Sequence, residues 1–553
     1  MKFRAGFAVA LGWLAMSLTQ AAAPSQAALD SITSQKLLRD IQVLASDEFE
    51  GRGPGTRGEE RTTAWLVDQF KAAGLQPGGP NRSWFQSVPM MGIRSSVTAT
   101  LQLGKQTETL IQPQDIVAWA PPQRPRVSVE NSPLVFVGYG VEAPEYGWDD
   151  YKGVDVRGKT LLMLVNDPQV EDSTGQLDPQ VFKGKAMTYY GRWTYKYEIA
   201  ARKGAAAAWI IHETGPAGYP WFVVVNSWSR ENFSLIQTNQ DTVQIAGWLS
   251  LDTSRRLLQS QGLDLADLKR QALRRDFRPR ELPITVQMAA TNVLRPIISR
   301  NVVGELRGSE RKRRDEWILY TAHWDHLGRD DQRQGDPIFN GALDNATGTS
   351  GLLELARAFT QLRHKPARSL LFLALTGEEQ GLLGARYYAS NPLHPLAKTV
   401  ANINMDGLNP WGKTQDMAVI GLGNSTLDDL IQKYATQQGR VLNQEAHPEK
   451  GYFYRSDHFE FAKVGIPALY AKSGTNYVDR PLGWGQSKAD EYTERDYHKV
   501  SDEVKSDWDF SGAVQDLQLL FRVGYELSTT GIWPEWKPGA EFKAIREQSL
   551  KKP

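Results

Sequence analysis

The sequence predicts an α/β fold, a sheet covered by helices on both faces, with a second, mainly β region set into the chain. From residue 300 onward, apolar strand-like runs alternate with helical patterns, as expected of strands buried on both faces. Between residues 97 and 293 the texture shifts to short β-like runs separated by turns rich in Gly, Pro and Asp. At 553 residues the chain also exceeds one ordinary core, since single cores stop growing near about 250–300 residues.

From the N-terminus, Lys2 and Arg4 precede an apolar run over 5–18 and the small residues Ala21, Ala22 and Ala23. This predicts a signal peptide over residues 1–28, cleaved between Ala21 and Ala28, because the run is too short to span a bilayer. The expected destination is the periplasm or the medium, with no membrane anchor after cleavage. The chain has no cysteine, so neither disulfides nor thiolate ligands are available and any metal must be held by nitrogen and oxygen. The formal charge is +1, and loss of Lys2 and Arg4 with no acid takes the mature chain to −1, which offers no footprint for nucleic acid.

Residues 30–96 read as the first part of the main domain, with Leu37, Leu38, Ile41 and Leu44, then Trp65, Leu66 and Phe70, at helical spacing. The glycine-rich stretch 50–58 between them is a turn; no apolar strand precedes it and no Lys-Ser/Thr follows, so a phosphate loop is disfavoured. In the region 97–293, the runs 134–137, 160–165, 207–211 and 221–225 read as strands, and Trp148, Trp193 and Trp209 are assigned mainly to its core. The basic cluster 311–314 reads as a solvated loop. Residues 294–540 form the rest of the main domain and 541–553 a tail. There, strand 316–321 leads to His323, an amphipathic helix covers 350–362, strand 370–375 leads to Glu378, and strand 400–405 leads to Asp406. Ligands of such sheets bind beyond the carboxyl ends of the strands, where these residues fall.

Five candidate metal ligands recur in this half: His323, Asp344, Glu379, Asp406 and His498. Two imidazoles and three carboxylates can hold two zinc-like ions if one carboxylate bridges, leaving one His and one carboxylate for each. A pair of metals about 3.5–4 Å apart activates water for hydrolysis near neutral pH. Asp325 lies two residues beyond His323 on the same strand face, placed to accept a hydrogen bond from the ring nitrogen that does not ligate. Asp344 precedes a helix, and taken alone it reads first as a simple N-cap. Glu378 and Glu379 cannot point the same way, so one can bind metal while the other acts as general base. Asp406 follows a buried strand, where an uncompensated carboxylate is costly, and His498 stands in a polar stretch, where a surface histidine is the alternative. The other six histidines are assigned structural or surface roles, His326 and His458 being nearest the motifs.

The runs His323-Trp324-Asp325-His326, Asp344-Asn345, Gly377-Glu378-Glu379, Asn404-Met405-Asp406, Arg455-Ser456-Asp457-His458 and Tyr497-His498, in this order, resemble the secreted di-zinc aminopeptidase family. That family also includes glutamate carboxypeptidase and the catalytically silent transferrin receptor. The resemblance covers residues 31–79 and 301–530, and the middle region resembles an inserted protease-associated domain. It implies a zinc-exopeptidase-type sheet, mixed and mostly parallel, flanked by helices. It places His323 and Asp406 on one zinc, Glu379 and His498 on the other, and Asp344 between them, with manganese or cobalt also suited to such donors.

The resemblance further implies Glu378 as general base and proton donor, Tyr497 as hydrogen-bond donor to the oxyanion, and Arg455 near the substrate's amino end. It also implies a cis peptide between Asp344 and Asn345. The expected activity is removal of N-terminal residues from peptides with a free N-terminus. The alternatives are a glutamate-releasing carboxypeptidase, a glutaminyl cyclase, or a binding protein without metals, the last disfavoured because all five ligands and the base are retained. The insert is readable as a partner-binding module or as a lid on the site.

Overall fold

The computed structural model describes residues 25–236 and 242–551. Its backbone is organised by a 16-stranded sheet running through both halves of the molecule. In the larger half, strand Trp317–His323 lies between Ser369–Leu375 and Thr399–Asn404, parallel to both, and Ala468–Ser473 continues the parallel set beyond Thr399–Asn404. The pair Asp416–Val419 and Val441–Gln444 closes this edge, and Arg280–Leu306 adds antiparallel on the other side. The sheet is therefore mixed and, in this half, mostly parallel.

Both faces of the central strand are apolar because helices cover both. Ile318, Tyr320 and Ala322 pack with Leu352 and Phe359 of helix Thr347–Thr360 and with Leu517 and Phe521 of helix Ser511–Thr529. Trp317 and Leu319 point the other way, against Ala385, Tyr388 and Phe461. The period-2 alternation thus divides one run between two helical layers. Helix Thr347–Thr360 is not the half-exposed amphipathic element its pattern suggested: from Thr347 to Ala356 every residue is buried, because the sheet lies on one side and helices Ser34–Leu44 and Ser511–Thr529 on the other.

Strands Phe85–Leu103 and Arg280–Leu306 pair antiparallel over 19 residues, a ribbon that leads into the inserted region and back across the expected boundaries near 97 and 293. Within the insert, Arg126–Phe136, Thr160–Leu164, Ala207–Ile211 and Ile245–Leu249 pair in parallel. Five helices accompany them between Trp193 and Ala272, so this region is more helical than its β-like texture suggested. The run 221–225 needs correcting: it belongs to helix Trp221–Trp228. A short apolar run is ambiguous by periodicity, and Pro220 before it suits a helix N-cap but not a central strand. Trp148 and Trp209 are buried as expected, whereas Trp193 is half-buried and lines an open cavity.

At the N-terminal side, helices Ser34–Leu44 and Arg57–Ala72 join the larger core through Leu37, Ile41, Leu44, Leu66 and Phe70. The tail is partly a docked helix, Lys543–Lys551, held by Arg546 donating to the carbonyls of Leu396 and Thr399. The signal peptide read from the sequence falls largely outside the described residues. No helix among the described residues is long and apolar enough to cross a membrane.

Candidate metal centre

The three parallel strands Trp317–His323, Ser369–Leu375 and Thr399–Asn404 end side by side, so the residues that follow them meet beyond one sheet edge. His323 Nε2 lies 3.4 Å from Asp344 Oδ1 and 3.5 Å from Asp406 Oδ1. His498 Nε2 lies 3.3 Å from the other oxygen of Asp344 and 3.1 Å from Glu379 Oε2. Asp344 therefore faces both groups, one oxygen to each.

These distances can be compared with what a cation requires. Tetrahedral donors at about 2.1 Å from an ion stand about 3.4 Å from one another. The two groups match that spacing, and Nε2 of His323, of His326 and of His498 are buried with no hydrogen-bond partner among the described residues. The donors thus fit two zinc-like ions, one held by His323, Asp344 and Asp406 and one by His498, Asp344 and Glu379. The electrostatics of these side chains agree. Burial opposes a charge on His323, but Glu378, Asp344 and Asp406 outweigh it and hold its pKa well above the ordinary imidazole range. His498 is lifted to about 10 against burial by Glu379 and Asp344. The carboxylates hold cations in place, and a bound metal would displace these protons.

Second contacts fix the ligands. His323 Nδ1 is 3.1 Å from the backbone carbonyl of Asp325, which directs Nε2 at the carboxylates. Here the expectation for Asp325 is corrected: its carboxylate is 3.8 Å from Nδ1 and instead accepts the backbone N–H of Glu378 at 3.1 Å. The main chain turns after His323, so the carbonyl takes the position foreseen for the side chain. Asp344 shows no helix-capping bond; that work falls to Asn345, whose Oδ1 accepts from Gly348 and Gly407 and whose Nδ2 donates to Met405. Asn345 thereby ties the Asp344 turn to the Asp406 turn. The peptide between Asp344 and Asn345 is cis.

Several contributors escaped the sequence reading. His326 Nδ1 is 2.6 Å from Glu379 Oε1, a charge-assisted hydrogen-bond distance too short for two donors on one ion, so this contact orients Glu379, although His326, Asp344 and Glu379 also stand close enough together to share a cation. The near repeat His323-x-x-His326 was the available signal. Asp502 accepts the backbone N–H groups of Leu343 and Asp344 at 3.0 and 3.1 Å. From the insert, Ser227 Oγ lies 2.8 Å from His498 Nδ1, and Asn226 Nδ2 donates to the His498 carbonyl at 2.8 Å. Nothing in the sequence links positions 271 residues apart. His458 is a buried structural ring, pushed down to about 3 by burial.

The glycine-rich turn 50–58 has a positioning role. Arg52 is buried and donates to the carbonyls of Leu44, Trp324, Asn340 and Gly341, joining the segments on which His323 and Asp344 stand. Gly51 allows this approach, since a Cβ there would meet Gly328 O at 2.4 Å and its φ is +64°. Arg52→Ala strands these carbonyls and is expected to cost roughly 3–4 kcal/mol of stability. Thermal unfolding checks this: an unchanged midpoint would mean water replaces the guanidinium at no cost.

A cavity of about 310 Å³ opens on the centre, lined by Asp344, Glu378, Asp406, Arg455 and Tyr497. Glu378 Oε2 stands 3.9 Å from His323 Nε2. Burial lifts the Glu378 pKa well above the carboxylate range; His323 opposes this, and Asp406 and Glu379 add to it. Tyr497 packs 4.0 Å from the His498 ring, and burial beside Asp344 and Glu379 keeps its phenol protonated. Arg455 Nη2 donates to Ala217 O at 2.5 Å, and the guanidinium lies over the rings of Tyr219 and Tyr452.

Residues 301–521, the stretch that carries all of these ligands, match the model of Peptidase family M28. This stretch, about two fifths of the chain, is of the M28 type. Among curated relatives, aminopeptidase YwaD of Bacillus subtilis is 28% identical over 232 residues, 40% of this chain and 44% of that protein. A probable zinc metalloprotease of Pyrenophora teres is 37% identical over 115 residues, 21% of this chain and 23% of that protein. The matched stretches therefore span less than half the length of these relatives. At the level of fold, the aminopeptidase from Aneurinibacillus sp. strain AM-1 superposes with a TM-score of 0.54 at 18% identity, over 91% of this chain and 96% of that one.

Proposed function

We propose that this chain is an exported, zinc-dependent aminopeptidase that hydrolyses the first peptide bond of peptides with a free N-terminus. The observation that carries the reading is the pair of donor groups sharing Asp344, with Glu378 beside them at the mouth of one cavity. When bound, a pair of zinc ions supplies Lewis-acid polarisation of the carbonyl and lowers the pKa of water. Glu378 takes the proton of the attacking water and returns it to the departing amine, a task suited to a carboxylate whose pKa burial raises well above the usual carboxylate range. Tyr497 keeps its proton and donates to the oxygen that gains charge. Asp325 holds the Glu378 backbone, and His326 holds Glu379.

Export rests on the N-terminal sequence. Ala28 and Leu29 are buried, which draws the proposed cleavage upstream of Ala28. The inserted region is proposed to be a protease-associated-type domain that walls the site rather than standing apart from it, since it contributes Ala217, Asn226 and Ser227 to the contacts above.

Two assays test the activity. An aminoacyl anilide should be cleaved and its N-acetylated form resisted, whereas a glutamate-releasing carboxypeptidase would accept acetylated peptides and a glutaminyl cyclase would release ammonia without consuming water. Treatment with a chelator should abolish turnover and added zinc restore it. Turnover that survives complete metal removal would end the reading.

A further inference from the structure

Lys472 stands in the wall of the metal-centre cavity, on strand Ala468–Ser473. Tyr470, two residues earlier on the same strand face, donates its hydroxyl to the backbone carbonyl of Asp406 at 3.1 Å, so Lys472 lies one step further along the strand from the metal ligands. Its ammonium is 5.1 Å from the Tyr470 ring centre, and a Cβ on Gly407 would stand 3.6 Å from it. Gly407 directly follows Asp406, so the absence of a side chain there leaves the ammonium open to the space beside that ligand. Lys472 pairs with no carboxylate among the described residues.

The other charges in the wall do not cancel it. Asp344, Asp406 and Glu378 are engaged with the imidazoles of the centre. Glu445 also lines the cavity, but burial pushes its pKa up to about 7 in spite of Arg455 and Lys472, so much of it is neutral near that pH. Arg455, which donates to the Ala217 carbonyl, adds a second cation with no carboxylate partner among the described residues. The same cavity wall carries the apolar side chains of Leu408 and Ile420 and the ring of Tyr477, among polar groups such as Asn409 and Ser473. A partly apolar cavity with an ammonium free of carboxylates complements a short aliphatic stem ending in a carboxylate, and partial water exclusion strengthens that pairing.

We infer that Lys472 selects substrates whose first residue is acidic, glutamate or aspartate, by pairing with its side-chain carboxylate. The inference rests on the aminopeptidase reading and deepens it. It is tested on the zinc-loaded full chain with glutamyl, leucyl and lysyl p-nitroanilides, together with calorimetric binding of free L-glutamate and L-leucine. Wild type should favour the glutamyl over the leucyl substrate in kcat/KM by about 10- to 100-fold. Lys472→Met should collapse that ratio, and Lys472→Glu should reverse it in favour of the lysyl substrate, with glutamate binding weakened in step.

Equal cleavage of the three anilides by wild type, or a glutamyl preference that survives Lys472→Glu, overturns the inference and leaves the aminopeptidase reading intact. If the zinc-loaded enzyme cleaves none of the anilides, the aminopeptidase reading fails and the inference fails with it.

Discussion

Glu378→Gln is expected to lower kcat by about 10²- to 10⁴-fold, the span that positioned acid–base groups contribute, while zinc content stays near that of wild type. The separation of the two effects follows from geometry. Glu378 Oε2 is 3.9 Å from His323 Nε2, further than the Asp344 and Asp406 oxygens, so the carboxyl lies beside the donor set and not within it. Its main chain is fixed by Asp325, and an amide of the same shape would keep that bond. What glutamine cannot do is accept a proton. Anilide hydrolysis and metal analysis on the same preparation read the two quantities. A variant that loses zinc would mean that Glu378 ligates, and the grouping of His323, Glu378 and Glu379 would then describe the centre better. A variant with full activity would remove Glu378 from the mechanism.

The parts of this centre that were legible in the sequence lie where a regular element ends. Strands Trp317–His323, Ser369–Leu375 and Thr399–Asn404 are continuous apolar runs that stop abruptly at polar residues, and a parallel sheet brings such ends together whatever the intervening loops do. His323, Glu378, Glu379 and Asp406 were therefore readable by position. Asp344 and His498 lie in irregular segments, where spacing carries no direction; they stood among the five candidate ligands, but an N-cap and a surface histidine were the competing readings and the family resemblance was needed to favour the ligand roles. Less visible still were the groups that orient the ligands. Arg52 acts through backbone carbonyls, which every residue possesses, so its role leaves no trace in the chemistry of neighbouring side chains. Asp325 was assigned the right neighbourhood and the wrong atom, because a turn after His323 exchanged carbonyl for carboxylate. The run 221–225 was misread for a related reason: β-branched valines favour strands in isolation, but contacts to the His498 segment reward a helix.

That helix leads to the second large effect. Ser227→Ala is expected to weaken zinc binding at the His498 position by about 10- to 100-fold, the usual cost of losing a group that orients a ligand. His498 is held in a left-handed backbone conformation, φ 56°, which costs a residue with a Cβ about 1–2 kcal/mol and needs support from its surroundings. The insert supplies it. Asn226 holds the His498 carbonyl, Ser227 accepts from Nδ1 so that Nε2 faces Asp344 and Glu379, and Phe222 lies under Lys499 Nζ at 3.7 Å. Without the hydroxyl the ring can rotate or exchange tautomers, while the small change in volume leaves helix Trp221–Trp228 packed. Zinc titration of the metal-free protein should then show one site close to wild type and one weakened, with activity returning as zinc is raised. Recovery at high zinc distinguishes an orienting role from a folding defect, which excess metal at unchanged protein concentration would not repair if the helix had come away. Two unaltered affinities would mean that the insert only covers the centre, and that His498 keeps its orientation through Tyr497 and its own backbone.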